Sequence, residues 1–112
     1  SNKDENPVVF QIKEYLHQNY AVPSLSVPDI SEHVRLSPTY VCTLFKNETG
    51  QTLNQYLTDY RIKMSKQFLS DPLYKITDIS AKVGYSDGNY YSKAFRKIVG
   101  LSPSEYREKM LR

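Results

Sequence analysis

The sequence predicts an all-α protein, and three observations support this fold class. Apolar residues recur at helical spacing in several segments, whereas no segment shows the sustained alternation that marks a β-strand. Residues that start and stop helices, such as Ser-Pro pairs and single glycines, divide the chain at short intervals. A pattern of helix, turn and helix also occurs twice, 49 to 50 residues apart. A length of 112 residues suits one compact domain or two small ones.

Seven helices are predicted from these signals. Their approximate bounds are residues 7–20, 26–35, 38–48, 53–70, 77–83, 88–99 and 103 onward. The first helix ends before Pro23, and Pro28 suits the first turn of the second. Ser37 caps the third helix, which has Pro38 at its first position and stops at Gly50.

The four later helices are bounded by the same kinds of residue. Thr52 caps the long fourth helix, and Pro72 follows its end. Gly84 halts the fifth helix and Gly100 halts the sixth. Ser102 caps the seventh helix as part of a capping box, because a glutamate follows at the third helical position.

An internal repeat relates the two halves of the chain. The first part of the repeat has an offset of 49 residues and pairs Asp29-Ile30-Ser31 with Asp78-Ile79-Ser80, Val34 with Val83, and Ser37 with Ser86. After a one-residue insertion the offset is 50 and pairs Tyr40, Phe45, Lys46, Gly50, Thr52 and Tyr56 with Tyr90, Phe95, Arg96, Gly100, Ser102 and Tyr106. Each copy is a short helix, a tight turn and a longer helix, which is the helix-turn-helix pattern.

The repeat predicts two helix-turn-helix units, residues 8–50 and 71–112, joined by a linker helix over residues 51–70. Residues 1–7 are predicted to be a disordered lead-in that begins with Ser1-Asn2, the remnant of a cleaved tag. A linker of about 18 helical residues would span about 27 Å, near the ~34 Å of one DNA turn. The second recognition helix could therefore reach the next groove on the same face of a duplex.

The turns of the two units differ at one position. Gly84 suits a turn residue with left-handed backbone angles, because glycine adopts them without steric cost. The matching residue in the first unit is Arg35. We therefore expect the first turn to be strained or differently shaped.

Charge is distributed unevenly along the chain. Residues 1–59 carry a net charge of −3 and residues 60–112 carry +6, which together give the net +3 of the whole chain. A basic half of this size is typical of a surface that binds a polyanion such as nucleic acid. Solvated basic helices are also common, so charge alone leaves both interpretations open.

The composition argues against an enzyme. Cys42 is the only cysteine, which excludes an internal disulfide and any zinc site built on paired cysteines. His17 and His33 are the only histidines, and we interpret both as ordinary helix residues. Since no carboxylate pair, activated nucleophile or metal-binding cluster is visible, we predict no catalysis, no metal and no cofactor. No apolar stretch approaches the roughly 20 residues that cross a bilayer, and we expect a cytoplasmic protein.

The third and sixth predicted helices each have a polar face that suits DNA. The third helix buries Val41, Leu44 and Phe45 and exposes Thr39, Cys42, Thr43, Lys46 and Asn47. The sixth helix buries Tyr91, Phe95, Ile98 and Val99 and exposes Asn89, Ser92, Lys93, Arg96 and Lys97. Asparagine pairs well with adenine and lysine or arginine with guanine, while hydroxyls contact either base. Any surface helix has polar residues outside, but their recurrence at matching positions favours two recognition helices.

The two recognition helices are expected to contribute differently. The third is nearly neutral and should read bases through Thr39, Thr43 and Asn47, whereas the sixth carries most of the positive charge. The predicted phosphate contacts are Ser37, Tyr40, Lys46, Arg61, Lys66, Tyr90, Arg96 and Lys97. Arg61 and Lys66 lie on the linker helix and could equally point into water. With few basic contacts, a single domain should bind weakly and with marked salt sensitivity, so useful affinity should need a second copy.

Specific motifs in both units resemble AraC/XylS-type transcription regulators. The second unit carries them as Val83-Gly84-Tyr85-Ser86-Asp87, Tyr90-Tyr91-Ser92-Lys93-Ala94-Phe95-Arg96-Lys97, Gly100 and Ser102-Pro103-Ser104-Glu105-Tyr106-Arg107. The first unit carries similar motifs at Leu36-Ser37-Pro38-Thr39-Tyr40, Leu44-Phe45-Lys46, Glu48-Thr49-Gly50, Tyr56-Leu57 and Arg61. The resemblance covers about residues 8–110 and implies a seven-helix domain whose two helix-turn-helix units bind successive major-groove segments of promoter DNA.

The same resemblance implies which residues read bases. The family's positions fall on Thr39, Cys42, Thr43, Gly88, Asn89 and Lys93. Cys42, Thr43 and Gly88 are shorter than the polar side chains of some relatives, so direct readout here could be less extensive.

Family membership would also imply partners. The domain usually follows a sensing or receiver domain, and this chain looks most like the output domain of a two-component response regulator. It would then be a fragment of a bacterial activator that meets RNA polymerase at the promoter and dimerises in the full-length protein. The chief alternative is a helical protein-interaction module that does not contact DNA.

Overall fold

The structure is a computed structural model that describes residues 4–112. Within this range it contains seven helices and no strand, which confirms the predicted fold class. The helices are α1 (Pro7–Asn19), α2 (Val27–Val34), α3 (Pro38–Thr49), α4 (Leu53–Leu69), α5 (Ile76–Lys82), α6 (Gly88–Val99) and α7 (Pro103–Met110). Each predicted bound lies within one residue of the observed one. None of these helices has the length and hydropathy that a membrane span requires.

The start of the described chain differs from the disordered lead-in predicted over residues 1–7. Residues 1–3 lie outside the described part of the chain. Asn6 caps α1, since its side-chain oxygen accepts hydrogen bonds from the backbone of Val8 at 2.8 Å and Val9 at 3.3 Å. Glu5 forms an ion pair with Lys13 on the same helix. Residues 5 and 6 therefore contact α1 and Pro7 is its first residue, so the predicted disordered lead-in does not extend through residue 7.

Side-chain caps explain where α3 and α6 begin. The Ser37 hydroxyl accepts from the backbone N–H of Tyr40 at 3.2 Å, and the Asp87 carboxylate accepts from that of Asn89 at 2.8 Å. These bonds satisfy backbone donors that a helix start leaves unpaired. Because Asp87 and not Ser86 is the second cap, the one-residue insertion in the repeat falls at Ser86, inside the turn.

The seven helices enclose two hydrophobic cores. The first core consists of Val9, Ile12, Leu16, Ile30, Val41, Phe45, Leu53 and Leu57. The second consists of Ile62, Leu69, Ile79, Val83, Tyr91 and Phe95. Helix α4 contributes to both, and the partly buried Tyr20 packs against both. The predicted linker is therefore also a structural element of each unit.

The apolar stripe of α4 differs from the predicted one. The expected core residues of this helix were Leu53, Tyr56, Leu57, Tyr60, Met64, Phe68 and Leu69, but Ile62 and Ser65 are also fully buried. The two units pack on different faces of α4, so the stripe shifts by one residue between Leu57 and Ile62. A single helical period cannot describe a helix that serves two cores.

The two turns share one backbone conformation. Arg35 has φ 59° and ψ 42°, and Gly84 has φ 99°. The residue after each turn position donates to a carbonyl in the preceding helix, Leu36 to Ser31 at 3.1 Å and Tyr85 to Ser80 at 2.9 Å. Arg35 is the only non-glycine residue among residues 4–112 with positive φ, so the expected strain is present.

Candidate nucleic-acid interface

Helix α3 presents the predicted polar face to solvent. Val41 and Phe45 are fully buried, which fixes the rotation of the helix about its own axis. The exposed residues are Thr39, Cys42, Thr43, Lys46 and Asn47. They form one continuous surface that begins at the N-terminus of the helix, which is the end that reads base edges in helix-turn-helix proteins.

Helix α6 presents an equivalent face. Tyr91 and Phe95 are fully buried, in the places that Val41 and Phe45 take in α3. The exposed residues are Gly88, Asn89, Ser92, Lys93, Arg96 and Lys97. Residues 41–50 and 91–100 follow the same order of buried, half-buried and exposed positions.

One residue of α6 departs from the prediction. Ile98 was expected to face the core, but 43% of it is exposed. It lies beside Lys97 in a shallow groove that also includes Asn54 and Gln55 of α4. The core-facing stripe of α6 runs through Tyr91, Phe95 and Val99, and Ile98 lies beside this stripe rather than on it.

The N-termini of the two recognition helices differ in charge. A helix N-terminus attracts phosphate because its first N–H groups and the helix dipole are electropositive. At α3 the cap is the neutral Ser37, whereas at α6 it is the carboxylate of Asp87. Tyr40 and Tyr90 follow these caps and are 53% and 70% exposed, and their phosphate contacts stay predictions. The repeat in the sequence pairs Ser37 with Ser86 and so does not identify Asp87 as the cap of α6, although an aspartate just before Gly-Asn is a recognisable cap signal.

Of the two helix faces, the face of α6 carries more positive charge than that of α3. Lys93, Arg96 and Lys97 are exposed there, against Lys46 alone on the exposed face of α3. The Arg96 guanidinium is 3.6 Å from the carboxylate of Glu105 on α7, in a pair where both side chains are more than half exposed. Hydrogen bonds from Ser102 hold the pKa of Glu105 below its ordinary value. Such exposed pairs are weak, so Arg96 can exchange this partner for a phosphate.

Lys46 and Lys66 are held by contacts with their own chain. The Lys46 ammonium donates to the Gly50 carbonyl at 3.3 Å, at the exposed end of α3. The Lys66 ammonium lies 5.7 Å from the centre of the Tyr106 ring, between α4 and α7. Their phosphate contacts stay predictions, as do the base contacts of Thr39, Cys42 and Thr43.

The guanidinium of Arg61 is engaged by two backbone carbonyls of its own chain. Its Nε donates to the carbonyl of Tyr20 at 2.8 Å and its Nη2 donates to that of Val22 at 2.9 Å. Burial lowers the pKa of Arg61, while the neighbouring Tyr85 acts in the opposite direction. These bonds favour a structural role for Arg61, and its phosphate contact stays an untested prediction that the proposed function does not use. Its role could not be predicted from the sequence, because the partner carbonyls lie about 40 residues away.

Comparisons with known proteins agree with this geometry. Residues 30–109 match the family described as the helix-turn-helix domain. The chain is 36% identical over 110 residues to the Msm operon regulatory protein of Streptococcus mutans, and 38% identical over 98 residues to the transcriptional regulatory protein HptR of Staphylococcus aureus. These matches cover 98% and 88% of this chain but only 39% and 38% of the relatives. The chain thus spans about two fifths of the length of the curated relatives.

A solved structure shows the same fold over nearly the whole chain. The C-terminal domain of AraT, a response regulator from Geobacillus stearothermophilus, superposes with a TM-score of 0.91 at 28% identity. The match covers 96% of this chain and 88% of that domain. The chain belongs to the AraC-type family of helix-turn-helix DNA-binding domains of transcription regulators.

Proposed function

We propose that this chain is the output domain of a bacterial response regulator and binds a specific promoter sequence through α3 and α6 together. The two helices would enter successive major-groove segments on one face of the duplex. The single observation that carries this proposal is the equivalence of the two exposed faces, which follow the same burial order over residues 41–50 and 91–100.

The length of α4 supports simultaneous docking. Its 17 residues rise about 26 Å at 1.5 Å per residue, which is near the ~34 Å of one DNA turn. Because α4 belongs to both cores, it holds the units as a rigid spacer does. A spacer of this length suits neighbouring grooves better than two distant sites.

Base reading is assigned mainly to the first unit. Thr39, Cys42, Thr43 and Asn47 are exposed and carry no charge, so their contacts with base edges would depend on the sequence read. In the second unit, Gly88, Asn89 and Lys93 would reach bases, and Gly88 would do so through close approach of its backbone. The proposed phosphate contacts are Ser37, Tyr40, Lys46, Lys66, Tyr90, Arg96 and Lys97.

We propose the signal input and the oligomeric state from the relatives and from the small number of exposed cations. A response-regulator relative implies a receiver domain that transmits a signal to this one. The exposed cations of the recognition helices are few, so a single domain would bind weakly at physiological salt. Dimerisation of the full-length protein would add a second half-site and raise avidity. Promoter binding in the cytoplasm would then serve activation, through contact with RNA polymerase.

Selection of bound duplexes from a random pool, followed by fluorescence anisotropy across a salt series, tests the proposal. We expect one enriched sequence spanning two segments about ten base pairs apart, with affinity falling steeply as salt rises. A duplex of the same composition in scrambled order is the matched control and should bind more weakly. Equal binding to both duplexes contradicts specific recognition. Absence of any salt-dependent binding favours a protein-interaction module instead.

A further inference from the structure

Three segments that are distant in the sequence meet where the two units approach each other. The loop after α1 contributes the carbonyls of Tyr20 and Val22, and α4 contributes Arg61. The turn before α6 contributes Gly84 and Tyr85. We call this set of five residues the inter-unit junction.

Arg61 contacts both units with one side chain. Its two hydrogen bonds, of 2.8 and 2.9 Å, hold carbonyls of the loop that follows α1 in the first unit. A helix end leaves such carbonyls without intrahelical partners, so a charged donor is well matched to them. The guanidinium also lies 5.5 Å from the centre of the Tyr85 ring in the second unit, within cation–π range.

Gly84 lets the two backbones meet directly. A Cβ at this position would lie 2.4 Å from the carbonyl oxygen of Tyr20 and 2.7 Å from Nε of Arg61. Real atoms do not approach so closely, so only glycine fits between the loop and the guanidinium. The turn that contains Gly84 leads directly into α6, and a shift of this turn would move the second recognition helix.

Few other contacts hold the units together. The main helix–helix contacts of the described chain fall either among α1–α4 or among α4–α7. The two cores are separate, and Tyr20 is the partly buried residue that packs against both. The orientation of α3 relative to α6 therefore depends on α4 and on the inter-unit junction.

We propose that Arg61 is a positioning residue, which fixes α3 relative to α6 and so sets the spacing at which the two helices enter DNA. This inference rests on the proposed function. A rigid link raises the effective concentration of the second helix once the first is bound, and pre-organisation avoids an ordering cost on binding. Loss of Arg61 therefore weakens binding that uses both helices and spares binding that uses one.

The chain offers a direct measurement of this orientation without DNA. Cys42 on α3 and Ser92 on α6 are exposed and lie 50 residues apart, at equivalent places in the two units. The substitution Ser92→Cys therefore allows one spin label on each recognition helix. Double electron–electron resonance should give a narrow distance distribution with Arg61 present and a broad one for Arg61→Ala. Because no duplex is involved, the result is independent of whether the proposed function holds.

Arg107 supplies the matched control. Its Nε donates to the carbonyl of Leu69 at 2.9 Å, and its Nη2 contacts those of Phe68 and Asp71, all near the end of α4. Arg107→Ala removes an arginine of the same type that contacts only the second unit, so the distance distribution should stay narrow. A narrow distribution for Arg61→Ala, or equal broadening in both variants, overturns the proposal. Circular dichroism checks that each variant is folded.

A binding experiment separates positioning from phosphate contact. The probes are a duplex selected by the unsubstituted chain and versions in which one of the two bound segments is scrambled. Arg61→Ala should lower affinity for the intact duplex about tenfold and leave affinity for the scrambled versions nearly unchanged. Equal losses on all probes would overturn the proposal.

Arg61→Lys is the second variant and retains the positive charge. A lysine presents a single point charge and cannot span both carbonyls as the planar guanidinium does. We expect the same loss of affinity for the intact duplex and the same broad distance distribution as for alanine. Retention of full affinity by Arg61→Lys, with a reduced salt slope for Arg61→Ala alone, would assign Arg61 to phosphate binding instead.

Discussion

The turns of the two units each contain one residue with left-handed backbone angles at the same position. This residue is Arg35 in the first unit and Gly84 in the second. Arg35 is exposed, so its side chain extends into solvent and only the backbone angle is unfavourable. Gly84 is buried against Tyr20 and Arg61, and a side chain there would collide with both. The duplicated turn therefore tolerates a strained residue where nothing approaches it and requires glycine where the second unit meets the first.

The two recognition helices also share a backbone conformation but differ in the charge of their caps and exposed side chains. Helix α3 begins at a neutral cap and carries hydroxyl and amide groups, whereas α6 begins at Asp87 and carries Lys93, Arg96 and Lys97. Phosphate attraction to α6 must then come from side chains and overcome a carboxylate at its N-terminus. Under the proposed function, the first unit would mainly read the sequence and the second would mainly attract the DNA backbone.

The glycine contrast is tested by Gly84→Ala against Gly100→Ala. Both residues have positive φ, of 99° and 88°, but nothing lies within 4 Å of a Cβ at Gly100. We expect Gly100→Ala to lower the free energy of unfolding by ~1 kcal/mol from backbone strain alone. Gly84→Ala should lower it by about 3 kcal/mol, because overpacking adds to the strain. Urea unfolding measures both, and equal losses would contradict the tight contact at Gly84.

The division of DNA contacts is tested by Arg96→Ala against Thr43→Ala. Removal of Arg96, a proposed phosphate contact, should weaken binding to every duplex about tenfold and reduce the salt slope, because a charge near the phosphates is lost. Removal of the Thr43 hydroxyl and methyl should instead change the preference among duplexes that differ at one base pair. Anisotropy with a panel of such duplexes measures both effects. If Thr43→Ala weakens all of them equally, the first unit does not read the sequence there.

Exchange of the two helix caps tests whether the charge at each helix N-terminus affects DNA affinity. Asp87→Ser keeps a good cap for α6 and removes a negative charge from its N-terminus, so DNA affinity should rise roughly threefold. The reciprocal Ser37→Asp should lower affinity by a similar factor. Anisotropy at low salt gives the largest signal, and both effects should shrink as salt is added. Unchanged affinity in both variants would place the N-termini away from phosphate.

The strain at the first turn predicts a small gain of stability. Arg35→Gly relieves the left-handed penalty but gives the unfolded chain more freedom, which leaves a net stabilisation of about 0.5 kcal/mol. Arg35→Ala is the control, because alanine keeps the penalty and removes only the guanidinium. Chemical unfolding should therefore rank the glycine variant above both the alanine variant and the unsubstituted chain. Stabilisation by alanine instead would point to the charge of Arg35 as the cause.

The two units should also respond differently to pH. His17 stacks on Tyr60 with ring centres 4.3 Å apart, and its Nε2 lies 2.8 Å from the Tyr56 hydroxyl. In the second unit, the residue that corresponds to His17 is Lys66, 49 residues later. Its ammonium lies 5.7 Å from the centre of the Tyr106 ring. Burial lowers the pKa of His17 below its ordinary 6.5, so the unfolded state binds this proton more readily.

The free energy of unfolding should accordingly fall as the pH decreases from about 6.5 through the lowered pKa. His17→Gln removes the titrating group and should flatten this part of the profile, which urea unfolding at several pH values would record. Identical profiles for the two proteins would show that protonation of His17 is not linked to folding.

Local features of the chain were predictable from sequence, and contacts between distant segments were not. Ser37, Thr52 and Ser102 cap helices through bonds to residues three positions away, so a short window contains the whole signal. The exposed faces of α3 and α6 follow from helical period and from the repeat. Arg61 was assigned to phosphate because its partner carbonyls become visible only in the folded chain. Ile98 was assigned to the core because its spacing from Tyr91 and Phe95 also fits a helical stripe, whereas Val99 is the residue of that turn that packs on the core.

Hydroxyl-radical footprinting of the selected duplex tests most directly whether both recognition helices dock together. We predict two protected segments on one face, centred about ten base pairs apart, from a single bound domain. Lys93→Ala should weaken protection of one segment and Thr43→Ala should alter the sequence preferred at the other. A single protected segment, or two segments on opposite faces of the duplex, would contradict the account.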